Sequence, residues 1–295
     1  MFLILPFEIW QIILDNTIFL SQIRLRQVCK FLFGLYITDF YNIEEIYLKR
    51  LDDSILMNYP HTVYLNACNN KNIKTINHMT KLQKLSAWGM CGISNNDIKN
   101  LNLIKLDASF NNKITIIDHM TNLQILDASG DNGIDDSAIK FLNLMELSAS
   151  HNSKITNVNH MTRLKKLHAC GRYCGIDDFG IKNINLIELN ASYNSKIKNI
   201  NHMTKLQKLI AHEDCGIGDN DIKNLNLIEL NTSSNRKITN VNHMTKLQKL
   251  IAWGEDNGIN DNGIKNLNLI KLHSKQNNKI TINPYICIDK CCNFI

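Results

Sequence analysis

The pair His-Met recurs at positions 78, 119, 160, 202 and 243, so a block of forty-one or forty-two residues repeats along most of the chain. A single unit of that size cannot bury its own apolar face; neighbouring units must stack and share one core. Each block has two halves, both carrying Leu-x-x-Leu-x-small. The second leucines are Leu65 (in a degenerate copy starting at Val63), Leu85, Leu106, Leu126, Leu147, Leu167, Leu189, Leu209, Leu230, Leu250 and Leu272, ten steps covering 207 residues. The only prolines are Pro6, Pro60 and Pro284, so nothing between 61 and 283 breaks the regularity. One regular object is expected there.

Leucine and the small residue two positions on (Ala87, Ala108, Ala128, Ala149, Ala169) fall on the same face of a strand, with the residues between them outward. Five positions after the leucine, one half carries Asn70, Asn111, Asn152, Asn194, Asn235 and Asn277; the other carries Cys91, Asn132, Cys174, Cys215 and Asn257 six or seven positions on. Such side chains satisfy backbone groups where a strand turns. Segments such as SNNDIKNL then return as a helical turn. The pattern resembles the leucine-rich repeat over residues 62–283, and Cys91-Gly92-Ile93 followed by Asp97-Ile98-Lys99 is similar to its cysteine-containing subclass. That resemblance implies an α/β solenoid of about eleven coils with a parallel sheet on its concave face.

The repeat disarms several tempting residues. One histidine per block stands ~10 Å from the next, too far to share an ion, so a structural or surface role is expected. Cys91, Cys174 and Cys215 exchange with asparagine at equivalent positions, as metal ligands and disulfide partners would not, and read as turn-formers. Of the 42 asparagines some are turn-formers, and many, such as Asn95 and Asn96, read as codon bias.

The first fifty residues are of another kind. An amphipathic helix is expected from Leu5-Pro6-Phe7-Glu8-Ile9 through Leu14, a second from Ser21 with Ile23, Leu25 and Val28, and a third apolar segment at Phe31-Leu32-Phe33. So much apolar surface calls for a partner. LPFEIWQIIL and the later LRQVCK resemble the F-box, a family that binds a Skp-type adaptor and through it a cullin–RING ubiquitin ligase. The resemblance implies that Leu5, Pro6, Ile9, Ile13, Leu14, Leu25, Val28 and Cys29 form or support the adaptor-binding face; a helical cap on the solenoid is the alternative. The division expected is F-box 1–45, a connector or degenerate first repeat 46–61 (with Ile43, Ile46 and Leu48 as its apolar residues), repeats 62–283, and a cap or tail 284–295.

The outward strand residues form three columns. Just before the core leucine, Glu146, Lys166, Glu188, Lys208, Glu229 and Lys249 alternate in sign, either a self-neutralising ladder or a substrate contact. The next column includes His168, Ile210 and Ile251. The third is mostly serine, so Trp88, His212 and Trp253 stand out. Those six are the substrate-binding candidates, with Ile210, His212, Ile251 and Trp253 as the preferred patch for an unknown protein substrate.

Net charge is +6 and not concentrated, which argues against nucleic acid. The nine cysteines are odd in number and irregularly spaced, and no basic region precedes the apolar first residues; a reduced, cytoplasmic (or nuclear) setting is expected. The final Cys292-Asn293-Phe294-Ile295 fits a loose C-a-a-X prenylation box, with an unmodified cap as the alternative, so membrane contact is expected only through Cys292. No phosphate-binding loop, nucleophile elbow or metal-protease motif occurs, and no cofactor or enzymatic activity is expected. The resemblance implies a substrate-recognition subunit of a Skp–cullin–F-box ligase, with a protein-binding scaffold or adaptor-sequestering decoy as the other reading. Heavy Asn, Ile and Lys usage and near-copied repeats suggest an AT-rich source such as a protist or a large DNA virus, in which case the ligase would be the host's.

Overall fold

The computed structural model describes residues 6–17, 19–27, 36–40, 45–131 and 133–281. The chain divides into two compact units, Met1–Leu142 and Asn143–Ile295.

The first unit begins with α1 (Phe7–Asp15) and α2 (Phe19–Gln27). Pro6 stands just ahead of α1, where a missing N–H costs nothing. The turn between the helices is closed by Gln22, a buried side chain whose amide donates to the carbonyls of Leu14 and Thr17. Five parallel strands follow, each paired with the next: β1 (Asp39–Phe40), β2 (Tyr64–Asn66), β3 (Lys84–Ser86), β4 (Lys105–Asp107) and β5 (Ile125–Asp127). Four helical turns complete it, α3 (Glu45–Leu48), α4 (Asp53–Leu56), α5 (Asn95–Ile98) and α6 (Asp136–Ile139).

The second unit repeats that plan with β6 (Glu146–Ser148), β7 (Lys166–His168), β8 (Glu188–Asn190), β9 (Lys208–Ile210), β10 (Glu229–Asn231), β11 (Lys249–Ile251) and β12 (Lys271–His273). Its return turns are α7 (Asp178–Ile181), α8 (Asp219–Ile222) and α9 (Asp261–Ile264). All neighbouring strands are parallel, with their leucines in register from Leu147 to Leu272. The fold is an α/β leucine-rich-repeat solenoid, with the repeat's leucines, alanines and the methionine of each His-Met pair in the core.

The coil before Val63 differs from the expectation. Its strand is Asp39–Phe40, with Phe40 in register with Leu65, whereas Ile46 is 57% exposed. Phenylalanine fills the place of the repeat's leucine, so the described residues hold twelve strands rather than eleven.

The asparagines also differ. Asn95 is not idle: its Oδ1 accepts from the N–H groups of Thr115 and Ile116, and its Nδ2 donates to the Thr115 hydroxyl. Asp53, Asp178 and Asp219 do the same for pairs of N–H groups in their next coils. On the same return path Asn77, Asn159, Asn201 and Asn242 each donate to a carbonyl and accept an N–H of the following helical turn. With three-residue strands, much of the hydrogen bonding between coils has to come from such side chains. Codon bias does not explain them; Asn96 alone of the pair contributes only its backbone carbonyl.

Candidate protein-binding surface

The inner rim of each coil is consumed by structure. Asn111, Asn194, Asn235 and Asn277 are buried, and each donates from Nδ2 to two carbonyls of the preceding coil (Ala87 and Ile93, Ala169 and Ile176, Ala211 and Ile217, Ala252 and Ile259). The thiols of Cys91, Cys174 and Cys215 donate to alanine carbonyls, and burial pushes each up to about 11. Only thiolate alkylates. Iodoacetamide at pH 7 should therefore leave these three unmodified in the folded protein and label them in urea, as mass spectrometry of the digest would read.

The histidines of the His-Met pairs are structural too. His78, His119, His202 and His243 place Nε2 3.1–3.3 Å from the last carbonyl of a preceding helical turn (Leu56, Ile98, Ile181, Ile222). A carbonyl only accepts, so Nε2 carries the proton.

The outward columns hold what remains. Glu146 pairs with Lys166 at 2.9 Å, Glu188 with Lys208 at 2.8 Å and Glu229 with Lys249 at 3.6 Å, the lateral ladder that the alternating signs suggest. The Glu146 carboxylate holds Lys166 above its ordinary value. Such exposed pairs are worth about 0.2–1 kcal/mol each. In the second column Asp107, Asp127, Asn190 and Asn231 accept the N–H two residues on, closing the strand end. The His168 imidazole lies 3.9 Å from Glu188.

The aliphatic exceptions in the second column fall on β9 and β11. Ile210 and Ile251 flank Asn231, and together with Lys208 and Lys249 they line a depression of about 230 Å³. Small-molecule pockets run to about 300–1,000 Å³; this one is smaller, and Glu229 lines it as well. Asn231 has its oxygen tied to Ser233, which leaves its Nδ2 as a donor on the floor. Just beyond stand His212, half-buried and held below the ordinary imidazole value by that burial, and Trp253, 40% exposed. His212 meets the edge of Tyr193 at 5.4 Å, and Trp253 meets His273 at 6.5 Å. Ile210 and Ile251 thus line one depression, and His212 and Trp253 follow each of them by two residues. Trp88 belongs to the first unit, 39% exposed on the coil of β3.

A feature absent from the sequence reading marks the same place. The fourth residue after each core leucine is left-handed: Asn69, Gly89, Phe110, Gly130, His151, Gly171, Tyr193, Glu213, Ser234, Gly254 and Gln276. Glycine adopts that conformation at little cost, other residues less readily. In the half-repeats with cysteine or asparagine six or seven positions on, the residue is glycine except at Glu213, beside His212. The alternation Gly89, Gly130, Gly171, Gly254 was visible in the sequence as a period.

Of the adaptor-face residues, Ile9 (41% exposed) and Ile13 (37%) share one face of α1 with Ile12 (57%). Pro6 is exposed, whereas Leu14 is fully buried and supports the helix from within. Leu25 falls within α2. Leu5, Val28, Cys29, Cys292 and the segment Phe31-Leu32-Phe33 lie outside the described residues.

No family model matches this sequence, and no curated protein matches it. Solved structures do. An internalin from Listeria monocytogenes aligns at TM-score 0.43 and 16% identity over 72% of this chain and 82% of that one. Rad7 in the yeast Rad7–Elc1 complex aligns at 0.43 and 16% over 95% and 92%. The TLR13–ssRNA13 complex gives 0.47 and 18% over 73% and 40%. Likenesses this distant transfer no residue roles. The chain's own coils establish its class, a leucine-rich-repeat solenoid.

Proposed function

We propose that this protein is a non-catalytic receptor that holds a protein substrate on β9–β11 and delivers it, through its N-terminal helices, to a Skp-type adaptor and a cullin–RING ubiquitin ligase. The observation that carries the reading is α1. Ile9, Ile12 and Ile13 form an apolar face that the described residues leave open, on the helix whose sequence resembles the F-box. Apolar faces left exposed on a folded protein mark interaction sites. The Ile210–Ile251 depression supports the other half, because two aliphatic side chains stand there in a column that is otherwise polar. Ubiquitin transfer would be catalysed by partners, the receptor acting by effective concentration in the cytoplasm. Among the described residues no helix is long and apolar enough to cross a membrane.

The test is purification of the full chain from cells. The wild type should bring down adaptor and cullin, and the double variant Ile9→Asp, Ile13→Asp should lose both while keeping its unfolding midpoint, since neither side chain is in the core. If the wild type retains neither partner, the ligase reading fails. If it retains the adaptor but no protein rises in abundance on cullin inhibition, the decoy reading replaces it.

A further inference from the structure

At the start of the first unit's coils lies an open cleft of about 640 Å³, walled by Lys49, Asn66, Asn69, Asn70, Lys71 and Trp88 among others. Amide side chains make up most of its polar lining. The Oδ1 of Asn66 accepts the N–H of Cys68 at 3.0 Å, and that of Asn69 accepts the N–H of Met90 at 3.0 Å. Asn70 spends its oxygen on the N–H of Asn72 and its Nδ2 on the carbonyls of Leu48 and Leu51. The amide oxygen keeps a second lone pair, and the NH₂ group is the amide's only donor. The Nδ2 groups of Asn66 and Asn69 make no hydrogen bond among the described residues.

Two ammonium groups, Lys49 and Lys71, are the charged members of the described lining, and no carboxylate is among them. Lys71 is exposed. The remaining wall is the indole of Trp88, accessible at the rim. The cleft therefore combines amide donors and positive charge with an exposed indole.

We propose that this cleft captures an acidic peptide segment, a Glu or Asp carboxylate taking Lys71 and the asparagine N–H groups while an adjoining apolar side chain lies on Trp88. Charge-assisted hydrogen bonds from several donors are what fix a carboxylate. A single-stranded nucleic acid fits less well. It needs successive stacking platforms and several phosphate contacts, and this cleft has one indole and two cations. The cleft belongs to the first unit and does not depend on the adaptor reading.

The experiment is fluorescence anisotropy of the full chain with a fluorescein-labelled peptide alternating Glu and Leu, its Gln–Leu counterpart, and an oligouridine. The acidic peptide should bind at least about tenfold more tightly than the Gln form, and its affinity should fall with added salt. Lys71→Glu should weaken it about tenfold, with Lys71→Arg restoring it, and Trp88→Ala should weaken it as well. Lys71 is exposed, so its variants report on binding even if Trp88→Ala disturbs the fold. Equal affinity for the Gln peptide, tighter binding of oligouridine, indifference to Lys71→Glu, or no binding at about millimolar peptide would each overturn the proposal.

Discussion

Replacing Asn235 by alanine should lower the free energy of unfolding by about 3 kcal/mol, far more than its small size suggests. The side chain is fully buried. Its Nδ2 serves the carbonyls of Ala211 and Ile217, and its Oδ1 accepts the N–H groups of Lys237 and Ile238. Alanine would strand backbone groups that water cannot reach, at about 1–3 kcal/mol for each left without a partner. Asn96→Ala is the control. Its side chain makes no hydrogen bond among the described residues, so the change should stay within about 0.5 kcal/mol. Urea unfolding followed by circular dichroism measures both, and a loss at Asn235 no larger than at Asn96 would show that the ladder does not hold the coils together.

Gly180→Ala should likewise destabilise, by about 2–3 kcal/mol, although glycine to alanine ordinarily favours a helix by about 1 kcal/mol. A Cβ on Gly180 would stand 2.0 Å from the Thr156 carbonyl oxygen of the preceding coil, and on Gly263 it would stand 2.1 Å from that of Thr239. In both places the glycine carbonyl also accepts an N–H from the coil before, Val158 and Val241 respectively. The corresponding position on α6 is Ala138, already an alanine, where Ala138→Gly should cost only the ordinary helical penalty of about 1 kcal/mol. Thermal unfolding of the three variants gives the comparison. A stabilised Gly180→Ala would mean that the coils can separate to admit a methyl group.

The glycine pair shows how far the sequence can be read. Val158 precedes Gly180, and Val241 precedes Gly263, by 22 residues; where the first residue is Ile76, Ile117 or Ile200, the second is Asp97, Ala138 or Asp221, 21 residues on. Smaller residues thus occur together where the coil is one residue longer. The pairing is present in the letters, but it acquires a meaning only once the two backbones are known to touch. The same holds for Asn95, whose partners lie 20 and 21 residues away. Read singly it is a polar residue in a polar segment.

The β9–β11 patch was legible in part. Ile210, His212, Ile251 and Trp253 break columns that are otherwise polar or small, and the spacing of the strands follows from the repeat. The role of Asn231 between them was not legible. It depends on which of its atoms the neighbouring Ser233 occupies. The first coil was misplaced for a related reason: Phe40 stands in for leucine outside the repeat's spacing, and only its pairing with Leu65 identifies it.

What the sequence determined by itself is the solenoid. A leucine about every 21 residues, with a small residue two positions on, permits one burial solution, and the hydrophobic effect selects it without regard to detail. What tertiary structure alone decided is which polar side chains are spent and which remain available. Hydrogen bonds depend on distances of a few tenths of an ångström between coils far apart in sequence. That geometry consumes most of the asparagines, histidines and buried cysteines, and leaves the isoleucines of α1, the β9–β11 depression and the donor-lined cleft beside Trp88 facing outward.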